Sequence, residues 1–78
     1  MNWFFTFHAR SLEGAEKMME DDTRVGEMPV PIREAVFAAM DTVSDALTPN
    51  KMMQVMSTGH IGPDATVSIT VCILDAPV

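Results

Sequence analysis

Within residues 65–74, near the C-terminal end of the chain, β-branched apolar residues alternate with hydroxyl-bearing residues and a cysteine. The apolar positions are Val67, Ile69, Val71 and Ile73, and the positions between them are Thr66, Ser68, Thr70 and Cys72. A period of two with β-branched residues is typical of a strand that has one buried face. This pattern predicts a strand, and we expect it to be the central strand of a sheet.

Two further segments have strand character. Residues 2–9 place Trp3, Phe5 and Phe7 on one face and leave Phe4 on the other. Residues 51–58 divide into one face formed by Met53, Val55 and Ser57 and another formed by Met52, Gln54, Met56 and Thr58, and both faces are partly apolar. Glycine and proline in residues 59–64 then provide the turn geometry for a hairpin to the last strand.

Two helices are predicted between the first and second strands. Ser11 can cap a short helix whose inward positions would be Leu12, Ala15, Met18 and Met19. Residues 21–30 contain glycine and proline without any regular period, which predicts a loop. Pro31 then suits the first position of a longer helix.

The longer helix is predicted over residues 31–47 by a stripe with a period of 3.6 residues. Its members are Ile32, Val36, Ala39, Met40, Val43 and Leu47. Phe37 lies outside the stripe and has two interpretations. It either packs under the short helix, which we favour, or is an exposed anchor for another subunit.

These elements predict a single α+β domain over residues 1–78 with the order β-α-α-β-β. We expect an antiparallel sheet of three strands in the order 1-3-2, with the long and the short helix on one face. The other face would carry Phe4, Thr6, Met52, Met56, Thr66, Ser68, Thr70 and Cys72. Because this face is small, weakly polar and uncharged, the pattern favours a contact surface.

Size and charge narrow the possible partners. A chain of 78 residues buries only roughly 60 % of its extended-chain surface, so a second copy that covers apolar surface would add stability. Eleven acidic and five basic residues give a net charge of −6, which disfavours nucleic acid and anionic membranes. A single cysteine cannot form an internal disulfide, and no signal peptide or membrane span is apparent, so a cytoplasmic location is expected.

No catalytic, cofactor or metal site is predicted. His8 and His60 have no carboxylate or thiol at metal-ligand spacing, and His60 is expected in the hairpin loop. Cys72 lies among apolar neighbours without an activating base. Asp41 and Asp45, one helical turn apart, are better explained by a solvated helix face than by an acid/base pair.

Several short strings resemble those of small orphan proteins encoded by bacteriophages, notably phages that infect actinobacteria. They are Phe7-His8-Ala9-Arg10, the helix that begins at Pro31, and Ser57-Thr58-Gly59-His60-Ile61-Gly62 before Thr66-Val67-Ser68-Ile69. The resemblance implies a role in the cytoplasm of the infected host cell, by binding a host component.

The order strand, helix, strand, strand also resembles that of dodecins, small flavin-storing proteins that assemble as hollow oligomers. Gly59-His60-Ile61 before the alternating last strand is the local similarity. The dodecin pattern implies a flavin held by a tryptophan and a glutamine on the later strands. Gln54 matches loosely, whereas the only tryptophan, Trp3, lies on the first strand.

The combined expectation is a non-enzymatic interaction protein that forms a homo-oligomer and binds a host protein. A small-ligand or flavin-like binding homo-oligomer is the alternative. The expected interface residues are Phe4, Phe37, Met52, Met56, His60, Thr66, Ser68 and Thr70.

Overall fold

The computed structural model describes residues 2–22 and 25–77, except for the side chain of Val25. The strands are β1 (Asn2–Ala9), β2 (Lys51–His60) and β3 (Thr66–Asp75), and the helices are α1 (Leu12–Asp21) and α2 (Val30–Val43). Short 3-10 turns occupy Val25–Glu27 and Ser44–Ala46. The predicted α+β class, the element order and the antiparallel pairing of three strands are confirmed.

The predicted strand order 1-3-2 is wrong. The sheet has the order β1-β2-β3, so β2 is central and β3 lies at one edge. The prediction treated the helical connection as one crossover, which would make β2 parallel to β1. Two helices instead carry the chain away and back, so that Met53 near the start of β2 lies opposite Ala9 at the end of β1. β2 can therefore pair with β1 directly, without a strand between them.

One face of the sheet is covered by the helices. β1 contributes buried Trp3, Phe5 and Phe7 to it, and β2 contributes buried Met53 and Val55. α1 packs over β1 and α2 packs over β3. The apolar side chains that β3 turns to this face, at positions 69, 71 and 73, are only half-buried. This partial burial follows from the position of β3 at the sheet edge.

Small residues of β2 make room for the aromatic residues of β1. Gly59 lies opposite Trp3, and Ser57 lies opposite Phe5. The Trp3 indole Nε1 donates a hydrogen bond to Ser57 Oγ at 3.0 Å. Ser57 Oγ in turn donates to the carbonyl oxygen of Ser68 at 3.1 Å. These two hydrogen bonds connect β1, β2 and β3, and they give the buried Trp3 N–H and the buried Ser57 hydroxyl their partners.

α1 begins as predicted, because Ser11 Oγ accepts a hydrogen bond from the backbone N–H of Gly14 at 3.0 Å. Ala15 and Met19 are buried, but Met18 is 42 % exposed, so its predicted inward position is wrong. Met18 and Met19 are adjacent, and about 100° separates neighbouring residues around a helix. One of the two must therefore turn away from the core.

α2 begins at Val30, one residue before the predicted start, and gives way at Ser44 to a 3-10 turn. Val36 and Met40 form the buried centre of its apolar stripe. Phe37 is half-buried and packs against the core. The predicted loop over residues 21–30 contains the last residue of α1 and the first of α2, and its residues Thr23 and Arg24 lie outside the described residues.

Candidate functional site

The sheet face opposite the helices is uncovered within the described residues, and we call it the open face. It is defined by the even-numbered residues of the three strands, because directly opposed residues of antiparallel strands share a face. These are Asn2, Phe4, Thr6, His8, Met52, Gln54, Met56, Thr58, His60, Thr66, Ser68, Thr70, Cys72 and Leu74. None of these positions holds Asp, Glu, Lys or Arg.

The apolar side chains of the open face differ in exposure. Phe4 is the most prominent, with 57 % of its surface exposed, and Leu74 is 38 % exposed. Met52 and Met56, on the central strand, are half-buried between their neighbours on the flanking strands. Flexible thioethers at such positions can adapt their shape to an apolar partner.

Polar groups of the open face make contacts across the strands. His60 Nδ1 lies 2.6 Å from Asn2 Oδ1, at the end of the sheet next to the hairpin loop. Cys72 Sγ and Gln54 Oε1 are 4.0 Å apart, which is a weak thiol contact. Part of the polar surface is therefore already paired within the chain.

The structure brings together seven of the eight residues predicted for an interface. Phe4, Met52, Met56, His60, Thr66, Ser68 and Thr70 all lie on the open face. Phe37 does not, since it lies in the helix layer and borders a groove together with Met19, Glu20 and Arg33. This position agrees with the favoured interpretation that Phe37 packs against the short helix.

His60 and Leu74 show what sequence reasoning missed on this face. His60 was expected in the hairpin loop, but β2 continues to it and pairs it with Thr66. Leu74 was not among the expected interface residues, although it continues the alternation of Thr70 and Cys72. Extending the period of two by one step would have found it.

The open face is smaller than a typical protein–protein interface. Ten residues per strand in β2 and β3 give a length of about 33 Å, and three strands give a width of about 14 Å. The open face therefore has an area of about 460 Å², whereas an interface of standard size buries about 800 Å² of each partner.

The ion pairs of Lys17 with Asp21 and of Lys51 with Asp75 lie off the open face. Lys17 and Asp21 form an exposed ion pair on α1 at 3.0 Å, and the hydrogen bond to Asp21 raises the pKa of Lys17. Lys51 pairs with Asp75 at the far end of the hairpin. That hydrogen bond lowers the pKa of Asp75.

The residues considered for catalysis are not assembled into one cleft. His8 lies opposite Gln54, whereas His60 lies six residues further along β2, a separation of about 20 Å. Asp41 and Asp45 are exposed on the helix side. Over residues 2–22 and 25–77, no group of three His, Cys, Asp or Glu residues could hold a metal ion.

The two residues that the dodecin resemblance singles out lie on opposite faces of the sheet. Trp3 is only 4 % exposed and faces the helices, whereas Gln54 belongs to the open face. Within one chain they cannot hold the same planar ring between them.

No helix in the described part of the chain is both long and apolar enough to cross a membrane. Comparison with known proteins finds no family model, no curated protein and no solved structure that matches this chain.

Proposed function

We propose that this protein is a non-enzymatic interaction protein and that the open face is its binding surface. The observation that supports this most directly is the absence of charge from its fourteen side chains. Charged residues make up 21 % of the chain, so about three of fourteen positions would be charged by composition alone, and more on a solvated surface. An uncovered, uncharged sheet face is typical of a surface that another protein covers.

The chemistry of the open face indicates a protein partner with an equally uncharged surface. Threonine and serine hydroxyls can form hydrogen bonds with a partner, and the methionines can fit its apolar side chains. If the chain is phage-encoded, as its resemblance implies, the partner is a host protein in the host cytoplasm. The protein itself would act as a homo-oligomer.

Phe4 is the expected anchor of this contact. With 57 % of its surface exposed, covering the ring would remove about 115 Å² from water. At about 25 cal/mol per Å² this stabilises a complex by about 3 kcal/mol, which corresponds to about a hundredfold in affinity.

The test compares two lysine substitutions at exposed apolar residues. Phe4→Lys places a charge in the open face, and Met18→Lys places the same charge on α1, where Met18 is 42 % exposed. Each tagged protein is used to retain partners from an extract of the natural host. We expect a partner that binds the original protein and Met18→Lys and is lost with Phe4→Lys. Retention of that partner by Phe4→Lys, or the absence of any retained protein, would contradict the proposal.

A further inference from the structure

The outer edge of β3 has no neighbouring strand within the described residues. Residues of an antiparallel strand alternate in the side to which their N–H and C=O groups point. The Ser68 carbonyl accepts from Ser57 of β2, and the Ala76 N–H donates to the Asn50 carbonyl at 2.9 Å. Even-numbered residues of β3 therefore turn their backbone groups towards β2. The odd-numbered residues, Val67 to Asp75, present theirs to the outer edge.

This edge lacks the features that usually prevent pairing with another chain. Residues 66–74 contain no charged residue and no proline, and their register with β2 is continuous without a bulge. Lysine, proline, bulges and short length are the common protections of an edge strand. Asp75 is the only charged residue of β3 and the last residue of the strand. Its carboxylate is paired with Lys51.

The edge formed by β1 is different, because α1 runs beside it. Thr6 and Phe7 of β1 line one groove together with Lys17, Met18 and Asp21 of α1. The ion pair between Lys17 and Asp21 therefore places charged side chains next to this edge. An incoming strand would have to displace or desolvate them, which the edge of β3 does not require.

We propose that β3 pairs antiparallel with β3 of a second copy of the chain, around a twofold axis that passes through Thr70. Opposed residues must share a face, so even-numbered residues pair with even-numbered ones and odd with odd. A twofold axis between two residues would pair even with odd positions, so the axis has to pass through one residue, which then lies opposite its own copy. The axis at Thr70 keeps the pairing within the uncharged residues 66–74, whereas an axis at Val71 would place Asp75 opposite Val67. The result is a six-stranded sheet with all helices on one face.

This pairing satisfies the backbone groups of the edge and covers apolar side chains. Residues 67, 69, 71 and 73 would exchange about eight hydrogen bonds with the second copy. Val67, which is 40 % exposed, would lie beside Ile73 of the second copy, and Ile69 beside Val71. The repulsion expected between two chains of net charge −6 is least along this uncharged edge.

The dimer would also enlarge the binding surface, an inference that rests on the proposed function of the open face. Two open faces joined edge to edge form one continuous uncharged surface of about 920 Å². That exceeds the roughly 800 Å² per partner of a standard interface, which a single open face does not reach.

Two matched lysine substitutions test the dimer. Thr6, Met56 and Thr70 form one row across the sheet, so Thr6→Lys and Thr70→Lys place the same charge on the same face at opposite edges. Both threonines are exposed, and circular dichroism of each variant checks that it is folded. In sedimentation velocity at micromolar concentration, we expect a dimer for the original protein and for Thr6→Lys. For Thr70→Lys we expect at least a tenfold weaker dimer, because two lysines would meet at the axis.

Disulfide trapping provides a second measurement that does not depend on weakening the dimer. In a Cys72→Ser background, Thr70→Cys should form a disulfide-linked dimer on oxidation, since the opposed Cβ atoms lie close together. Thr6→Cys in the same background is the control, and it should form no disulfide-linked dimer because position 6 lies at the opposite edge of the sheet. A monomeric original protein, equal loss of the dimer in both lysine variants, or no disulfide at position 70 would overturn the proposed pairing.

The two proposals can fail separately. If the original protein is monomeric but its partner is still lost with Phe4→Lys, the edge pairing is wrong and the function of the open face stands. If the dimer forms and no partner distinguishes Phe4→Lys from Met18→Lys, the pairing stands and the proposed function is wrong.

Discussion

Adding one methyl group at Gly59 should destabilise the protein, because the Trp3 ring occupies the space that a side chain would need. A Cβ atom at position 59 would lie 2.0 Å from the Trp3 Cζ2 atom and 2.3 Å from Cη2. Carbon atoms pack at about 3.5–4.0 Å, so the ring would have to move by about 1.5–2 Å. The indole is a rigid side chain, it is only 4 % exposed, and its N–H is bonded to Ser57.

The magnitude follows from three contributions to the free energy of unfolding. Overpacking a core costs about 1–3 kcal/mol, and loss of the indole hydrogen bond costs about 1 kcal/mol. Alanine gives the unfolded chain less conformational freedom than glycine does, and this offsets about 0.4–1 kcal/mol of the lost stability. We therefore expect Gly59→Ala to lose about 2–3 kcal/mol. At 0.05–0.15 kcal/mol per residue, the total for 78 residues is about 4–12 kcal/mol.

Urea unfolding followed by tryptophan fluorescence measures this loss, because Trp3 is the only tryptophan in the chain. With a slope of about 1 kcal/mol per molar urea, the midpoint should fall by about 2–3 M. Gly26→Ala is the matched control, because among the described residues, apart from its chain neighbours, nothing lies within 4 Å of its added Cβ, and no described glycine has a positive φ. We expect it to be neutral or slightly stabilising. A Gly59→Ala midpoint at or above that of the original protein would refute the described packing of Trp3.

Two further predictions concern the hydrogen bonds within the sheet and at its end. Ser57→Ala leaves the buried indole N–H of Trp3 without its acceptor and should cost about 1–3 kcal/mol in urea unfolding followed by circular dichroism. Combining it with Trp3→Phe should cost less than the sum of the two single losses, and additive losses would contradict the coupling. The hydrogen bond from Lys51 holds the pKa of Asp75 below its ordinary value of 3.8. The ion pair therefore stabilises the folded protein fully above pH 3.8, and this stabilisation is lost as the pH falls through the lowered pKa of Asp75 in the folded state. Urea midpoints of Asp75→Asn and the original protein should therefore converge in acid, and midpoints that differ equally at every pH would contradict this.

Local pattern predicted the elements of this protein and the two faces of its sheet. The alternation of Trp3, Phe5 and Phe7 with Phe4 needed only the period of a strand, and the structure confirms it with the burial of the first three. The same period placed six of the expected interface residues on the open face, all but His60 and Phe37. Whether these residues bind a partner stays a prediction, because the pattern describes a surface and not what covers it.

The strand order could not be obtained in this way, because it depends on where the helices return the chain. Residues 65–74 have the composition of a central strand, yet β2 is central. Gly59 and Ser57 of β2 are small enough to lie beside the aromatic residues of β1. The alternation within one strand does not show which other strand its small residues will pair with. The exposure of Met18 was missed for the same reason, since only the position of α1 over β1 decides which of two adjacent methionines is buried.

Side-chain alternation is a property of neighbouring residues, so the amino-acid sequence alone determined the α+β class, the hairpin and the neutrality of one sheet face. Which strand lies at the edge is a property of the whole chain, because two helices of a given length must bring Ala9 and Met53 together before β1 can pair with β2. Only the tertiary structure decided that β3 has an uncharged outer edge, and that Trp3 lies over Gly59.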